Sequence, residues 1–335
     1  MRVVITGGGG FIGRRLAERL LARGSLVGAE GKEEPIDELV LFDVNAPPSP
    51  PDDKRVSIVT GDVAASGLIR EVISKGTGSV FHLAAIVSGQ AEAEPDLGYR
   101  VNLDGTRVVL EAARALGTTP RVVFASSLAV YGGELPPAVS EKVPLTPQTS
   151  YGIQKAIGEH LVNDYSRKGF INGRSLRLPT IVVRPGLPNR AASTFASSII
   201  REPLSGADVI CPVRRETPMP VLSPRRVVAA FERANDLPGA ALGTNRALQL
   251  PGIRVTVGEM VDALRRAGGD EAVHRIHWQP DPVIQKIVDG WPQDIDGSRA
   301  EKLGFERDRD MDEIVRAFIE DDLPAQKELA ARSAG

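Results

Sequence analysis

Tyr151 and Lys155 stand four residues apart in a stretch, Ser150 to Lys168, that reads as a helix, so their side chains share one face. A tyrosine hydroxyl with its ordinary pKa of about 10 is a poor base at neutral pH. A lysine cation held nearby stabilises the phenolate and brings that pKa down. The pair can then take the proton of an alcohol. A solvated helix face can carry the same spacing, so the pair needs company. Ser126 and Ser127 supply it at the end of the apolar run Val122 to Ala125, which reads as a buried strand. Carboxyl ends of strands are where open α/β sheets bind ligands. A serine hydroxyl there can donate to a substrate oxygen as charge develops on it. The chain holds no G-x-S-x-G elbow, which argues against serine-hydrolase chemistry.

A second constellation opens the chain. Thr6-Gly7-Gly8-Gly9-Gly10-Phe11-Ile12-Gly13 lies between an apolar strand, residues 2–5, and a helix from Phe11 to Arg23. Glycines permit a tight turn and let the backbone approach a pyrophosphate with no Cβ in the way. The helix start then offers free N–H groups and the positive end of its dipole. Gly7, Gly10 and Gly13 give a G-x-x-G-x-x-G spacing. Asp43 ends the second strand, where a carboxylate accepts from the adenosine ribose hydroxyls and repels a 2′-phosphate. This favours NAD over NADP; the bland alternative is that Asp43 only caps a turn. Asp62 follows the third strand, with Val63 behind it, in reach of an adenine amino group. An oxidised nicotinamide nearby would help Tyr151 lose its proton.

These residues need a scaffold that gathers strand ends. Short apolar strands at 38–42, 56–60, 79–83, 121–126 and within 174–183 alternate with helices at 67–75, 99–116 and 150–168. That alternation implies a parallel sheet covered on both faces, in the α/β class. The expected organisation is a doubly wound Rossmann domain over 1–186. A strand and helix at 219–244 would return to it, and a smaller, partly interleaved substrate lobe would comprise 187–218 and 245–330. The end from Lys327 is expected to fray.

Composition narrows the function. The net charge is −2, and Arg and Lys form no block, which argues against nucleic-acid and anionic-membrane partners. One cysteine, Cys211, excludes an internal disulfide, and four scattered histidines give no metal-ligand pattern, so no metal is expected. The N-terminal apolar run is too short for a signal peptide or a span, and a cytoplasmic protein is expected.

Taken together, the motifs resemble the extended short-chain dehydrogenase/reductase family, which includes UDP-glucose 4-epimerase. The match runs from T-G-G-G-G-F-I-G (Thr6–Gly13) through G-D-V (Gly61–Val63), F-H-L-A-A (Phe81–Ala85) and N-L-D-G-T (Asn102–Thr106). It ends with S-S-L-A-V-Y-G (Ser126–Gly132) and S-Y-G-I-Q-K (Ser150–Lys155). The resemblance implies that Tyr151 is the acid/base, that Lys155 lowers its pKa and holds the nicotinamide ribose, and that Ser127 is the catalytic serine. It places Phe11 and Ile12 at the pyrophosphate, Leu83, Ala84, Ala85 and Asn102 along the cofactor, and Leu178 and Pro179 near the nicotinamide. It also implies a homodimer through the helices Tyr99–Leu116 and Ser150–Lys168. Thr180 stands where sugar-nucleotide members carry an asparagine, which weakens that substrate class.

Three further stretches, Ile86–Ala93, Thr146–Glu159 and Arg177–Gly186, are similar to members that oxidise sugar acids. The expected reaction is oxidation of a four-carbon sugar acid at its C2 hydroxyl by NAD. The alternatives are a nucleotide-sugar 4-epimerase and a cofactor-binding regulator without turnover. A substrate carboxylate needs a cationic partner. Arg184 is the candidate, against the reading that it is a structural arginine before Pro185. Ser88, Gln90, Ser126 and Thr180 are the expected polar contacts.

Overall fold

Residues 1–187 and 192–334 are described by a computed structural model, with side chains to 331; 188–191, at the opening of the expected second lobe, and Gly335 lie outside the described residues. The first strand, β1 (Arg2–Thr6), is buried at four of its five positions, three of them apolar. It leads through the glycine turn into α1 (Phe11–Arg23), which ends at Gly24 in the left-handed conformation. There follow β2 (Glu38–Asp43), β3 (Val56–Thr60), α2 (Ser66–Val72) and β4 (Thr77–His82). The expected long helix at 99–116 is divided into a π-helical stretch, Tyr99–Asp104, and α3 (Gly105–Ala115). Next come β5 (Arg121–Ser127), α4 (Ser150–Arg167) and β6 (Asn172–Leu178).

The remaining labelled elements are β7 (Thr180–Ile181), α5 (Thr194–Leu204), β8 (Pro218–Leu222), α6 (Pro224–Asp236), β9 (Ala247–Gln249) and β10 (Ile253–Thr256). Then follow α7 (Val257–His274), α8 (Met311–Asp321) and α9 (Leu323–Ala334). The main sheet has seven strands in the order β9-β6-β5-β4-β1-β2-β3, and every pairing in it is parallel. The chain moves outward from β1 in one direction through β2 and β3. It then crosses back to β4 and moves outward the other way. That reversal at β1 opens a crevice at the carboxyl ends of β1 and β4, the position at which doubly wound sheets bind ligands.

The return to the main sheet differs from the expectation. The strand at 218–222 does not rejoin it. Instead β8 pairs antiparallel with β10 and parallel with β7 in a separate three-stranded sheet. Its helix α6 does pack on the main sheet, and β9, beyond the expected boundary, takes the edge beside β6. An apolar run such as Met219-Pro220-Val221-Leu222 suits any buried strand; which sheet receives it is a tertiary decision. The segment from Lys327, expected to fray, continues helix α9 to Ala334. Gln326 of that helix is buried, and its amide meets the backbone of Gly186, accepting from the nitrogen at 2.7 Å and donating to the oxygen at 3.4 Å.

Candidate active site

Strand register aligns the functional residues. Thr6 lies opposite Phe42 and His82, His82 opposite Phe124, and Ser127 opposite Leu178. The carboxyl ends therefore bring Asp43, Leu83, Ser127 and Leu178 to one edge of the sheet.

At the glycine turn, α1 is pressed against the loop it grows from. A Cβ on Gly13 would lie 2.2 Å from the Gly7 oxygen, so only glycine allows this approach. Gly10 precedes the helix in extended backbone, no side chain caps it, and no acidic residue stands in the first turn. The Phe11 and Ile12 amides thus lack the usual intrahelical partners and face the helix mouth. A Cβ added at Gly10 would meet only the Gly7 oxygen, at 3.2 Å, so that side is an open cradle. These features fit a dinucleotide diphosphate. Asp43 accepts from the Gly9 amide at 3.0 Å and from the Val44 amide at 2.7 Å, which fixes its carboxylate beside the cradle. Asp62 accepts from Ala64 N at 2.9 Å, and its other oxygen is held by Arg100, a partner the spacing gave no sign of. Val63 is buried beneath Gly105.

Leu83 N donates to the Thr6 oxygen at 3.0 Å, and the segment Leu83-Ala84-Ala85 then passes against Gly7. Asn102, buried in the π-helical stretch, holds the next residue from both sides. Its Oδ1 accepts from Ile86 N at 2.9 Å, and its Nδ2 donates to Ile86 O at 3.2 Å. The same Nδ2 donates to Gln154 Oε1 at 2.8 Å. Gln154 sits between Tyr151 and Lys155, so this buried amide pair ties the cofactor-side loop to the catalytic helix. Gln154 was not singled out in the sequence; an amide inside Y-x-x-x-K that shares a face with a buried Asn is legible only in three dimensions.

Thr149 caps α4 by accepting from the Gly152 amide at 3.1 Å, which places Tyr151 in the first turn. Gly152 lies so close to the turn after β5 that a Cβ there would be 2.1 Å from the Ala129 oxygen. This approach seats Tyr151 beside Ser127. The Ser127 oxygen accepts from Ala129 N at 3.1 Å, which leaves its own O–H free to donate. Burial pushes the Tyr151 phenol up to about 12, while the Ser127 hydroxyl and the Arg184 cation pull it back. Lys155 Nζ donates to the Ala125 oxygen at 2.8 Å and stands 5.5 Å from the centre of the Tyr151 ring. Burial lowers Lys155 to about 7, against a smaller upward pull from Glu159.

Ser126 does not join this group. Successive side chains of a strand point to opposite faces, so Ser126 and Ser127 diverge. Ser126 is buried and donates to Glu159 Oε1 at 2.6 Å. Glu159 also receives the Arg177 guanidinium at 2.7 Å, and Arg177 reaches the Tyr131 hydroxyl at 2.5 Å. This buried cluster locks α4 to β5 and β6, and its role is to position the helix.

His82 lies buried beneath the crevice, with Nδ1 2.7 Å from Thr6 Oγ1 and Nε2 2.9 Å from Thr106 Oγ1. Thr106 donates to the Asn102 oxygen at 2.6 Å, so its lone pair faces an Nε2–H. Nδ1 is then the acceptor from Thr6. Burial, and secondarily the Lys155 charge, lower its pKa from 6.5 to about 3. The folded protein keeps His82 neutral where the unfolded chain binds a proton. Stability is therefore complete above pH 6.5 and is lost as pH falls from there toward 3, at up to ~1.4 kcal/mol per pH unit. Urea unfolding at pH 7 and pH 5 should show this slope, and His82→Gln should flatten it.

Arg184 follows β7 on the substrate side. Its N–H donates to Ser197 Oγ at 3.0 Å, its Nη2 reaches Ser193 Oγ at 3.4 Å, and its carbonyl accepts from Arg201 at 2.7 Å. Burial and the neighbouring Arg201 charge lower its pKa, and Tyr151 raises it. Among the described residues no carboxylate pairs with it. Thr180 opens β7, opposite Val221 of β8, directly after Pro179. Ser88 and Gln90 lie on a short helix, Ser88–Ala93, where the Gln90 amide donates to Glu94 at 3.3 Å. Among the described residues no cluster of three metal-ligating side chains exists, and no helix is long and apolar enough to cross a membrane.

Comparison with known proteins agrees with this architecture. The family model described as "NAD dependent epimerase/dehydratase family" matches residues 3–222. The chain is 54% identical over 321 residues to a D-erythronate dehydrogenase of Cupriavidus necator, covering 96% of this chain and 98% of that protein. A D-erythronate dehydrogenase of Haemophilus influenzae is 45% identical, with 96% and 100% covered. A crystal structure described as a nucleoside-diphosphate-sugar epimerase from Agrobacterium tumefaciens superposes with a TM-score of 0.91 at 41% identity, covering 98% of this chain and 96% of that one. The glycine cradle and the paired Tyr151 and Lys155 thus sit in a scaffold shared over nearly the whole length, and the chain belongs to the NAD dependent epimerase/dehydratase family.

Proposed function

We propose that this protein oxidises D-erythronate at C2 to 2-dehydro-D-erythronate with NAD. The observation that carries the reading is Arg184, a partly buried guanidinium with no carboxylate partner among the described residues, whose charge acts on Tyr151. An uncompensated cation in a substrate crevice is costly unless an anion arrives to pair with it. A sugar acid brings that anion, and its carboxylate is bonded directly to C2, so binding it sets C2 close to the phenol. The near full-length identity to two D-erythronate dehydrogenases supports the same substrate.

The residues divide the work. Phe11, Ile12, Gly7, Gly10 and Gly13 receive the diphosphate, Asp43 the adenosine ribose, and Asp62 and Val63 border the adenine. Leu83, Ala84, Ala85, Asn102, Leu178 and Pro179 border the nicotinamide half. When bound, NAD supplies the hydride acceptor. Arg184 holds the substrate carboxylate, and Thr180, Ser88 and Gln90 offer polar contacts to its hydroxyls. The Ser127 O–H donates to the C2 oxygen and holds it against the Tyr151 phenol. Tyr151 takes the hydroxyl proton as C2 becomes a ketone. Lys155 offsets the phenolate charge from beside the ring, and its own buried charge is relieved by that anion. Ser127 and Arg184 already pull the phenol down against its burial, and the positive charge of oxidised NAD, when bound, would add to that pull.

A homodimer through the helices at 99–116 and 150–168 accompanies this proposal by family resemblance, and a cytoplasmic setting is proposed with it. The test is NADH absorbance on mixing purified protein, NAD and D-erythronate, with L-threonate and UDP-glucose as comparisons. Steady NADH formation with D-erythronate supports the reading. Because one solved relative carries an epimerase description, UDP-glucose is the informative comparison: its isomerisation with no net NADH would overturn the proposal.

A further inference from the structure

Arg184 stands past the end of the small sheet. β7 closes at Ile181, and the Val182 amide donates to the Leu222 oxygen at 3.1 Å. Beyond that bond, side chains hold the backbone. The Arg184 amide donates to Ser197 Oγ at 3.0 Å, and its carbonyl accepts from Arg201 Nη1 at 2.7 Å. Both partners are buried side chains of α5. Pro185 has no N–H to offer. At Gly186 the chain turns with φ +98°, and Gln326 of α9 takes both of its peptide atoms. The Gln326 Oε1 accepts from Gly186 N at 2.7 Å, and its Nε2 donates to Gly186 O at 3.4 Å. The segment is therefore pinned at each end, at Arg184 by α5 and at Gly186 by α9.

Gln326 is itself anchored. Its amide donates to the Asp322 oxygen at 2.9 Å. The Asp322 carboxylate receives Arg15 at 2.6 Å, and Asp321 receives the same guanidinium at 3.1 Å. Arg15 lies in α1, one turn past Phe11, and its guanidinium carbon is 5.0 Å from the centre of the Phe11 ring. The head of α9 thus joins the helix whose mouth receives the diphosphate to the segment that carries Arg184. Burying an amide costs free energy unless it is hydrogen-bonded, so packing alone would favour an apolar residue at position 326. Both bonds of the Gln326 side chain go to Gly186.

We propose that Gln326 is a positioning residue for substrate oxidation. By holding Gly186 it sets the Arg184 guanidinium relative to Tyr151, and through Arg15 it fixes the carboxylate site relative to the dinucleotide cradle. The proposal rests on the reading of Arg184 as the partner of the substrate carboxylate. C2 is bonded directly to that carboxylate. A slack segment would let C2 drift from the phenol and from the hydride acceptor, and small misplacements of reacting atoms are costly.

Steady-state NADH formation from D-erythronate tests it, with NADH titration and thermal unfolding alongside. Gln326→Met keeps the side-chain length and loses both bonds. It should raise KM about 3- to 10-fold and leave the NADH dissociation constant within about twofold. The rising limb of log kcat should move to higher pH, as in Arg184→Met but by less, because the Arg184 charge is displaced and not removed. The deciding comparison is the double variant. In an Arg184→Met background, Gln326→Met should change KM by no more than about twofold, since the group it positions is gone. Gln326→Asn, polar but one carbon shorter, should reproduce the rise and keeps the test standing if the Met variant is unstable. An unchanged KM in both Gln326 variants would overturn the proposal. So would the full rise persisting in the Arg184→Met background, or an equal loss of NADH affinity, either of which would mark Gln326 as a general support of the fold. If Arg184→Met itself leaves KM unchanged, the carboxylate reading fails and takes this proposal with it. If KM rises in Arg184→Met and not in the Gln326 variants, this proposal alone fails.

Discussion

Tyr151→Phe should lower kcat for D-erythronate oxidation by about 10³-fold, within the usual range for losing a positioned general base. The phenol hydroxyl neighbours Ser127, and among the described residues it takes part in no other side-chain bond. The melting temperature and the NADH dissociation constant should therefore stay close to those of the unaltered protein. Steady-state NADH absorbance, thermal unfolding and NADH titration together separate lost chemistry from lost structure. A variant retaining more than a tenth of the rate would remove Tyr151 from the proton-transfer step.

Arg184→Met should raise the KM for D-erythronate roughly 10- to 100-fold, the range for a charge-assisted hydrogen bond to a carboxylate. A second effect goes with it. The Arg184 cation pulls the Tyr151 pKa down, so its removal raises that pKa. The active form is the phenolate, and activity rises with pH as it ionises. The rising limb of log kcat should therefore move to higher pH in the variant. Arg184→Lys should restore much of the pH position, because charge alone acts there, and less of KM, because the planar fork is lost. An arginine with a purely structural role would change neither the carboxylate dependence nor the limb.

Much of the scaffold could be read in the chain because local chemistry dictates it. Gly7, Gly10 and Gly13 between a strand and a helix have few other uses, and apolar strands alternating with helices leave a covered parallel sheet as the consistent answer. Tyr151 and Lys155 were legible as a pair from their spacing, strand position brought Ser126 and Ser127 to the same sheet edge, and the family resemblance singled out Ser127. Ser126 misled because two adjacent hydroxyls look equivalent in sequence, while the pleat sends them to opposite faces and the buried Glu159 claims one. The pairing of β8 with β10 could not be foreseen, since its apolar run fits either sheet. Arg100 on Asp62, and the Asn102–Gln154 amide pair, join residues 38 and 52 positions apart, beyond any local pattern.

The edge strand β9 has a consequence for how the protein is made. It pairs with β6 at Ala247, Leu248 and Gln249, and Ala300 and Phe305 join the same core. The nucleotide-binding half is therefore not complete when its last large strand leaves the ribosome. Until residue 249 emerges, β6 presents an open row of amides and carbonyls, the kind of edge that recruits other chains. Synthesis at 5–20 residues per second leaves that edge exposed for about 4 to 15 s on a nascent chain. The sheet is thus assembled from the first half of the chain and its β6 side sealed by the second, which ties completion of the nucleotide-binding half to late translation.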